Sequence, residues 1–129
     1  MKLRTTLVCF AVASTTTLCS IGSAKAEQWT TSTKILTTTA MALTVADWGQ
    51  TRDIVKRPSE YRELNPILGP QPSMGKVNSY FIGALVAQYL VAEYLPDPLK
   101  TMVLSGVLGM QLTTVGNNRS IGLKINFGM

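Results

Sequence analysis

Histidine is absent from the chain. Without an imidazole there is no Ser-His-Asp triad, and the commonest zinc ligand is missing. Cysteine is almost absent: Cys9 and Cys19 both lie near the start, so the chain from Glu27 onward has neither a disulfide nor a thiolate ligand. Charge is sparse as well, 15% of residues against about 25% in soluble domains. It is also uneven, leaving long stretches with none. No Walker loop, GxSxG elbow, nucleotide fingerprint or metal-spaced cluster occurs. No cofactor, no metal and no catalytic group are therefore expected.

Lys2 and Arg4 precede an uncharged run from Thr5 to Ala24, and small residues at Ala24 and Ala26 bracket Lys25. A basic start, an apolar stretch and an A-x-A site read as a signal peptide over residues 1–26, cleaved after Ala26. Ser14, Thr15, Thr16 and Thr17 dilute the apolar stretch, and an uncleaved anchor is the alternative. Thr16-Thr17-Leu18 lacks the small residue that lipidation of Cys19 would need. Removing Lys2, Arg4 and Lys25 from the count leaves 9 basic and 7 acidic residues. That balance, with no basic stripe interleaved with aromatics, excludes nucleic acid as a partner.

The remainder, 27–129, reads as a single all-α domain organised around Glu63–Phe81 (ELNPILGPQPSMGKVNSYF). Pro66, Pro70 and Pro72 each remove a backbone donor and fix φ, so this stretch is a shaped loop leading into an apolar run. Before it, Ile35–Thr51 carries apolar residues at helical spacing with Asp47 as its only charge. Its length is at the lower limit for crossing a bilayer. After it, Val77–Ala92 and Thr101–Asn118 are uncharged and separated by the tight Pro96-Asp97-Pro98 turn. Asp97 is expected as N-cap and Pro98 as first helical residue, with Gly116-Asn117-Asn118 as the stop. The expected architecture is a small helical membrane protein: a helix near 35–51, a basic loop, and a helical hairpin at 77–95 and 98–116.

Ser79, Gly83 and Ala87 on one arm of that hairpin, and Ser105 and Gly109 on the other, recur every four residues. In lipid such stripes let helices approach closely. The tail from Arg119 alternates Ile121, Leu123, Ile125 and Phe127 with Gly122, Lys124 and Asn126, the period of a short edge strand. Seven basic residues (Arg52, Lys56, Arg57, Arg62, Lys76, Arg119 and Lys124) fall on one side of this topology and Lys34 and Lys100 on the other. The positive-inside rule then puts loop 52–76 and the C-terminus in the cytoplasm, with the protein in the inner membrane. Trp29, Trp48, Tyr80 and Tyr94 lie near helix ends, where interfacial aromatics belong.

Asp47, with Gln50 and Thr51 one turn on, is the sharpest polar candidate, since a carboxylate in a span is costly and needs a partner. Arg52 and Lys56 are the expected partners. Glu63 and Asn65 come next. Asn before Pro starts a turn, and Glu63 could join Asp47 in a cation or proton site. Asn78, Gln88 and Gln111 read as interhelical hydrogen-bonding residues.

The series Asp47-Trp48-Gly49-Gln50-Thr51, Glu63-Leu64-Asn65-Pro66-Ile67-Leu68-Gly69, Pro72-Ser73 and Val77-Asn78-Ser79-Tyr80-Phe81 resembles a group of short uncharacterised bacterial and phage membrane proteins. The resemblance covers roughly 45–127 and implies a membrane location without an activity. The expected function is that of a small integral membrane protein, an accessory or structural component of a membrane complex such as a phage lysis or exclusion factor. Its expected partners are the bilayer and either a second copy or another membrane protein. The alternatives are a minimal ion, proton or solute transport component using Asp47 and Glu63, and a secreted soluble helical domain.

Overall fold

The computed structural model describes residues 29–128; the signal segment expected over 1–26 lies outside them. Three α-helices make up the fold: α1 (Thr31–Lys56), α2 (Met74–Tyr94) and α3 (Asp97–Ser120). α1 is the central element, and both other helices pack chiefly on it. The described part of the chain is all-α, and among the described residues no helix is long and apolar enough to cross a membrane.

Each helix begins where a local device satisfies its free N–H groups. Thr30 Oγ1 accepts from the Thr33 N–H at 3.1 Å and caps α1. Ser73 Oγ accepts from the Lys76 N–H at 3.2 Å and caps α2. α3 starts one residue earlier than expected: Pro96 holds the cap position, and Asp97 supplies negative charge in the first turn without a side-chain cap bond.

The helices overrun their expected ends. α1 continues through Arg52 and Asp53 to Lys56, because the charged side chains of that last turn find partners in the tail. α3 passes through Gly116-Asn117-Asn118 and stops at Ser120. Its stop is a Schellman turn. Gly122 takes φ 93°, its N–H bonds the Arg119 carbonyl at 3.1 Å, and the Leu123 N–H bonds the Asn118 carbonyl at 3.0 Å. Leu123 is then buried, giving the turn its apolar contact.

Two expectations about packing are corrected. The tail forms no strand, and no strand occurs among the described residues. It runs as an extended strap across α1, and a helix offers it no ladder of free backbone groups. The strap crosses at Gly49. The Asn126 N–H donates to the Gly49 carbonyl at 3.1 Å, and a Cβ on Gly49 would come within 2.6 Å of Ile125 Cγ2 and 2.9 Å of the Phe127 ring. The small-residue stripe is not a seam between α2 and α3 either. Ser79, Gly83, Ala87, Ser105 and Gly109 are all exposed, and a Cβ on Gly83 or Gly109 would meet nothing within 4 Å. α2 and α3 splay apart and touch each other far less than they touch α1. A groove of about 240 Å³ remains between them, lined by residues that include Ala84, Val91, Val107 and Met110.

The interior holds many polar side chains. Among the described residues, Thr33, Thr37, Thr44, Asp47, Gln50, Thr51, Asp53, Gln88, Lys100 and Gln111 are buried, and the buried apolar residues include Ala40, Ile54, Leu68, Val77, Phe81, Ala92, Leu104 and Leu123. Ile82, Val86, Leu90, Met102 and Leu112 point outward, each 45% or more exposed. Hydrogen bonds tie the interior together, as the polar groups require once out of water. Gln88 Nε2 donates to Thr44 Oγ1 at 2.8 Å, and the Thr44 hydroxyl donates to the Ala40 carbonyl at 3.0 Å. Gln50 Nε2 donates to the Val115 carbonyl at 3.3 Å.

Candidate functional site

The Glu63–Gly69 loop is shaped by two of its own side chains. Glu63 Oε1 accepts from the Asn65 N–H at 2.8 Å, and Asn65 Oδ1 accepts from the Ile67 N–H at 2.9 Å. The second is an Asx turn, which replaces the ladder that prolines deny this stretch. Gly69 closes the loop at φ 79°, in the left-handed region. Leu68 then inserts beside Val77 and Phe81, and Lys76 Nζ donates to the Leu68 carbonyl at 2.9 Å.

This loop roofs a cleft of about 560 Å³ between α1 and α3. Asp47 and Thr51 line it from α1, Gln111, Thr114 and Asn118 from α3, and Glu63 and Asn65 from the loop. Residues far apart in sequence thus meet in one place. Asp47 is within reach of the charge on Glu63, and the Gln111 amide faces it. Asn118 Nδ2 donates to Asp47 Oδ1 at 3.3 Å. The apolar wall comes from Ile54, Leu68, Phe81, Met110 and Leu123. Gln50, by contrast, is turned toward Val115 and does not line the cleft.

The expected basic partners of Asp47 are engaged elsewhere. Arg52 Nη1 donates to Asn78 Oδ1 at 2.8 Å and Arg52 Nε to the Asn126 carbonyl at 3.3 Å. Lys56 bonds Asn126 and the Gly128 carbonyl. Helical geometry gives the reason, because Asp47 faces α3 while Arg52 and Lys56 lie on the side that the tail crosses. Neither Asp47 nor Glu63 has an ion-pair partner among the described residues. Arg62 is the cationic residue that lines the cleft, from the exposed loop.

A second polar centre, not foreseen from the sequence, fastens the tail. The Asp53 carboxylate pairs with Arg57, accepts the Lys124 N–H at 3.0 Å and accepts from Asn126 Nδ2 at 3.3 Å. Burial pushes this carboxyl up, but the Lys124 N–H, Arg57 and Asn126 outweigh it and hold it below its ordinary value. The bond to Asp53 in turn raises Arg57 above its ordinary value. Tyr61 stacks under the Arg57 guanidinium at 4.5 Å, and its hydroxyl donates to the Ile121 carbonyl at 3.0 Å. A signal was present in Asp53 and Arg57 at helical i, i+4 spacing, but nothing local announces that a tail lands on them.

Trp48 belongs to the packing around this end of the bundle rather than to an exposed belt. Its indole N–H donates to Asn78 Oδ1 at 3.0 Å, and its ring lies against Phe81 and edge-on to Phe127. Trp29 sits at the opposite end, with its N–H on Glu93 at 3.2 Å and its ring 6.1 Å from Tyr89. No protein-family model, curated protein or solved structure matches the chain.

Proposed function

We propose that the protein works embedded in the inner membrane, as a non-enzymatic component of a membrane assembly. The observation that carries this reading is the outer face of α2 and α3, where Ile82, Val86, Leu90, Met102 and Leu112 are each 45% or more exposed, beside an interior that holds Thr44, Asp47, Gln50, Gln88 and Gln111. In water this arrangement forfeits the burial that drives folding, about 25 cal/mol for each Å² of apolar surface left exposed. In lipid that exposure carries no such cost, because the outer faces match the acyl chains, while Gln88, Thr44 and Gln50 make hydrogen bonds inside.

The helices hold 26, 21 and 24 residues, or about 39, 32 and 36 Å at 1.5 Å per residue, against a hydrocarbon core of about 30 Å. Their mean apolarity is low because hydropathy averaged around a helix counts its inward polar residues. Within the bundle those residues do not meet lipid. The seven basic residues of the 52–76 loop, the end of α1 and the tail would face the cytoplasm. Lys100, near the opposite end, is buried and lies 3.5 Å from Asp97, so its charge is met within the protein.

Membrane fractionation tests the reading. The full chain should stay in the pellet after alkaline carbonate extraction, and a reporter fused after Met129 should be active only on the cytoplasmic side. Release into the carbonate supernatant would refute the embedded reading; a periplasmic reporter would refute its orientation.

A further inference from the structure

We propose that the cleft between α1, α3 and the Glu63–Gly69 loop is a binding site for a small organic amine: an ammonium held among Asp47, Glu63 and Gln111 on an apolar body. The proposal does not depend on the bilayer reading, since the cleft is built by the protein alone.

The cleft wall carries two carboxylates, Asp47 and Glu63, with Gln111 beside Asp47. Asp47 is 9% exposed and has neutral donors beside it, Asn118 Nδ2 and the Gln111 amide. Glu63 accepts one backbone N–H with one of its two oxygens. Gln111 is 7% exposed, lines the same cleft, and leaves Oε1 buried with no hydrogen-bond partner. A buried acceptor without a donor costs about 1–3 kcal/mol. Gln111 shares the lining with Asp47 and Glu63, neither of which has an ion-pair partner among the described residues, and a cationic donor is the group that would suit all three. An ammonium has three donors, no acceptor and the right charge.

The volume argues against a bare metal ion. Direct coordination needs six to eight oxygens at 2.3–2.6 Å for calcium, and no group of three or more acidic, cysteine or histidine side chains is gathered among the described residues. About 560 Å³ is instead the size of an organic-ligand site, commonly 300–1,000 Å³. Leu68, Phe81, Met110 and Leu123 supply an apolar wall for the rest of such a molecule. Arg62 lies in the exposed part of the lining and disfavours a second cationic group on the ligand, so a monoamine fits better than a polyamine.

The experiment is isothermal titration of the full chain, purified in mild detergent near pH 7.5, with 2-phenylethylammonium. Neutral 2-phenylethanol and calcium chloride are titrated alongside. Saturable one-to-one binding of the amine is expected, with the alcohol at least about tenfold weaker. Asp47→Asn should weaken amine binding about tenfold or more, and Gln111→Met, which keeps the volume but removes the acceptor, should weaken it less. Glu63→Gln, half-buried on the loop and still able to accept the Asn65 N–H, is the charge-removing variant to use if circular dichroism shows that Asp47→Asn misfolds. Absence of saturable amine binding to the folded protein would overturn the proposal. So would equal binding of the alcohol, calcium binding without amine binding, or undiminished binding in both folded charge-removing variants. Carbonate release with intact amine binding would remove the membrane reading and leave this one standing.

Discussion

At the scale of single residues, Asp53 and Gly49 decide whether the tail stays on α1. Asp53 titrates below its ordinary value in the folded chain, so the stabilisation it provides is complete above the unfolded carboxylate value of about 4. It is lost as pH falls through the folded value. Hydrogen exchange at the Lys124 amide, which Asp53 accepts, should therefore show protection at neutral pH that falls away under acid conditions. Asp53→Asn should abolish that acid dependence. Protection that persists unchanged into strong acid would mean that the carboxylate does not hold the strap. Gly49 acts by what it lacks. Alanine there would gain up to about 1 kcal/mol of helix propensity, but its Cβ would lie 3.2 Å from Ile125 Cα as well as against flexible side-chain atoms. Backbone cannot yield as a side-chain tip does, so Gly49→Ala should lift the strap and cost roughly 1–3 kcal/mol. Faster tryptic cleavage after Lys124 would report it.

At the scale of elements, the three helices and the proline-shaped loop were legible because each rests on local chemistry. Helical spacing marks α1, the uncharged run from Val77 marks α2, though not the Ser73 cap ahead of that run, and Asn65 before Pro66 marks the turn. What was not legible depends on which surfaces meet. The alternation from Ile121 to Phe127 is an extended-chain signal, but whether an extended segment becomes a strand depends on finding a free sheet edge, and here it lands on a helix. Gly116 and Gly122 both offer a helix stop; the latter is used because Leu123 can be buried behind it. The stripe of small residues gave a helix-packing signal that this protomer does not use. Gly83→Leu, with open space around its Cβ, should leave thermal unfolding of the detergent-solubilised monomer within about 0.5 kcal/mol of the parent, as surface substitutions usually do. A marked loss would show that α2 and α3 do close on each other through this stripe.

At the scale of the whole molecule, Asp47 and Glu63 could be singled out from composition, since a carboxylate in an apolar run is costly wherever it lies. Their meeting was within reach of the sequence as a proposal, but the roles of Gln111 and Asn118 were not, because α3 reaches the cleft only through its packing on α1. The same packing leaves Ile82, Val86, Leu90, Met102 and Leu112 on the outer faces, the basis for the proposal that the bundle lies in lipid. The most direct measurement is the accessibility of spin labels in the full chain reconstituted in bilayers. Labels at Val86 and Met102, on the outer faces, should collide more with oxygen, which concentrates in the hydrocarbon, than with a water-soluble nickel chelate. A label at Glu60, in the exposed loop, should show the reverse. Preferential access of the nickel chelate to Val86 and Met102 would contradict the embedded bundle.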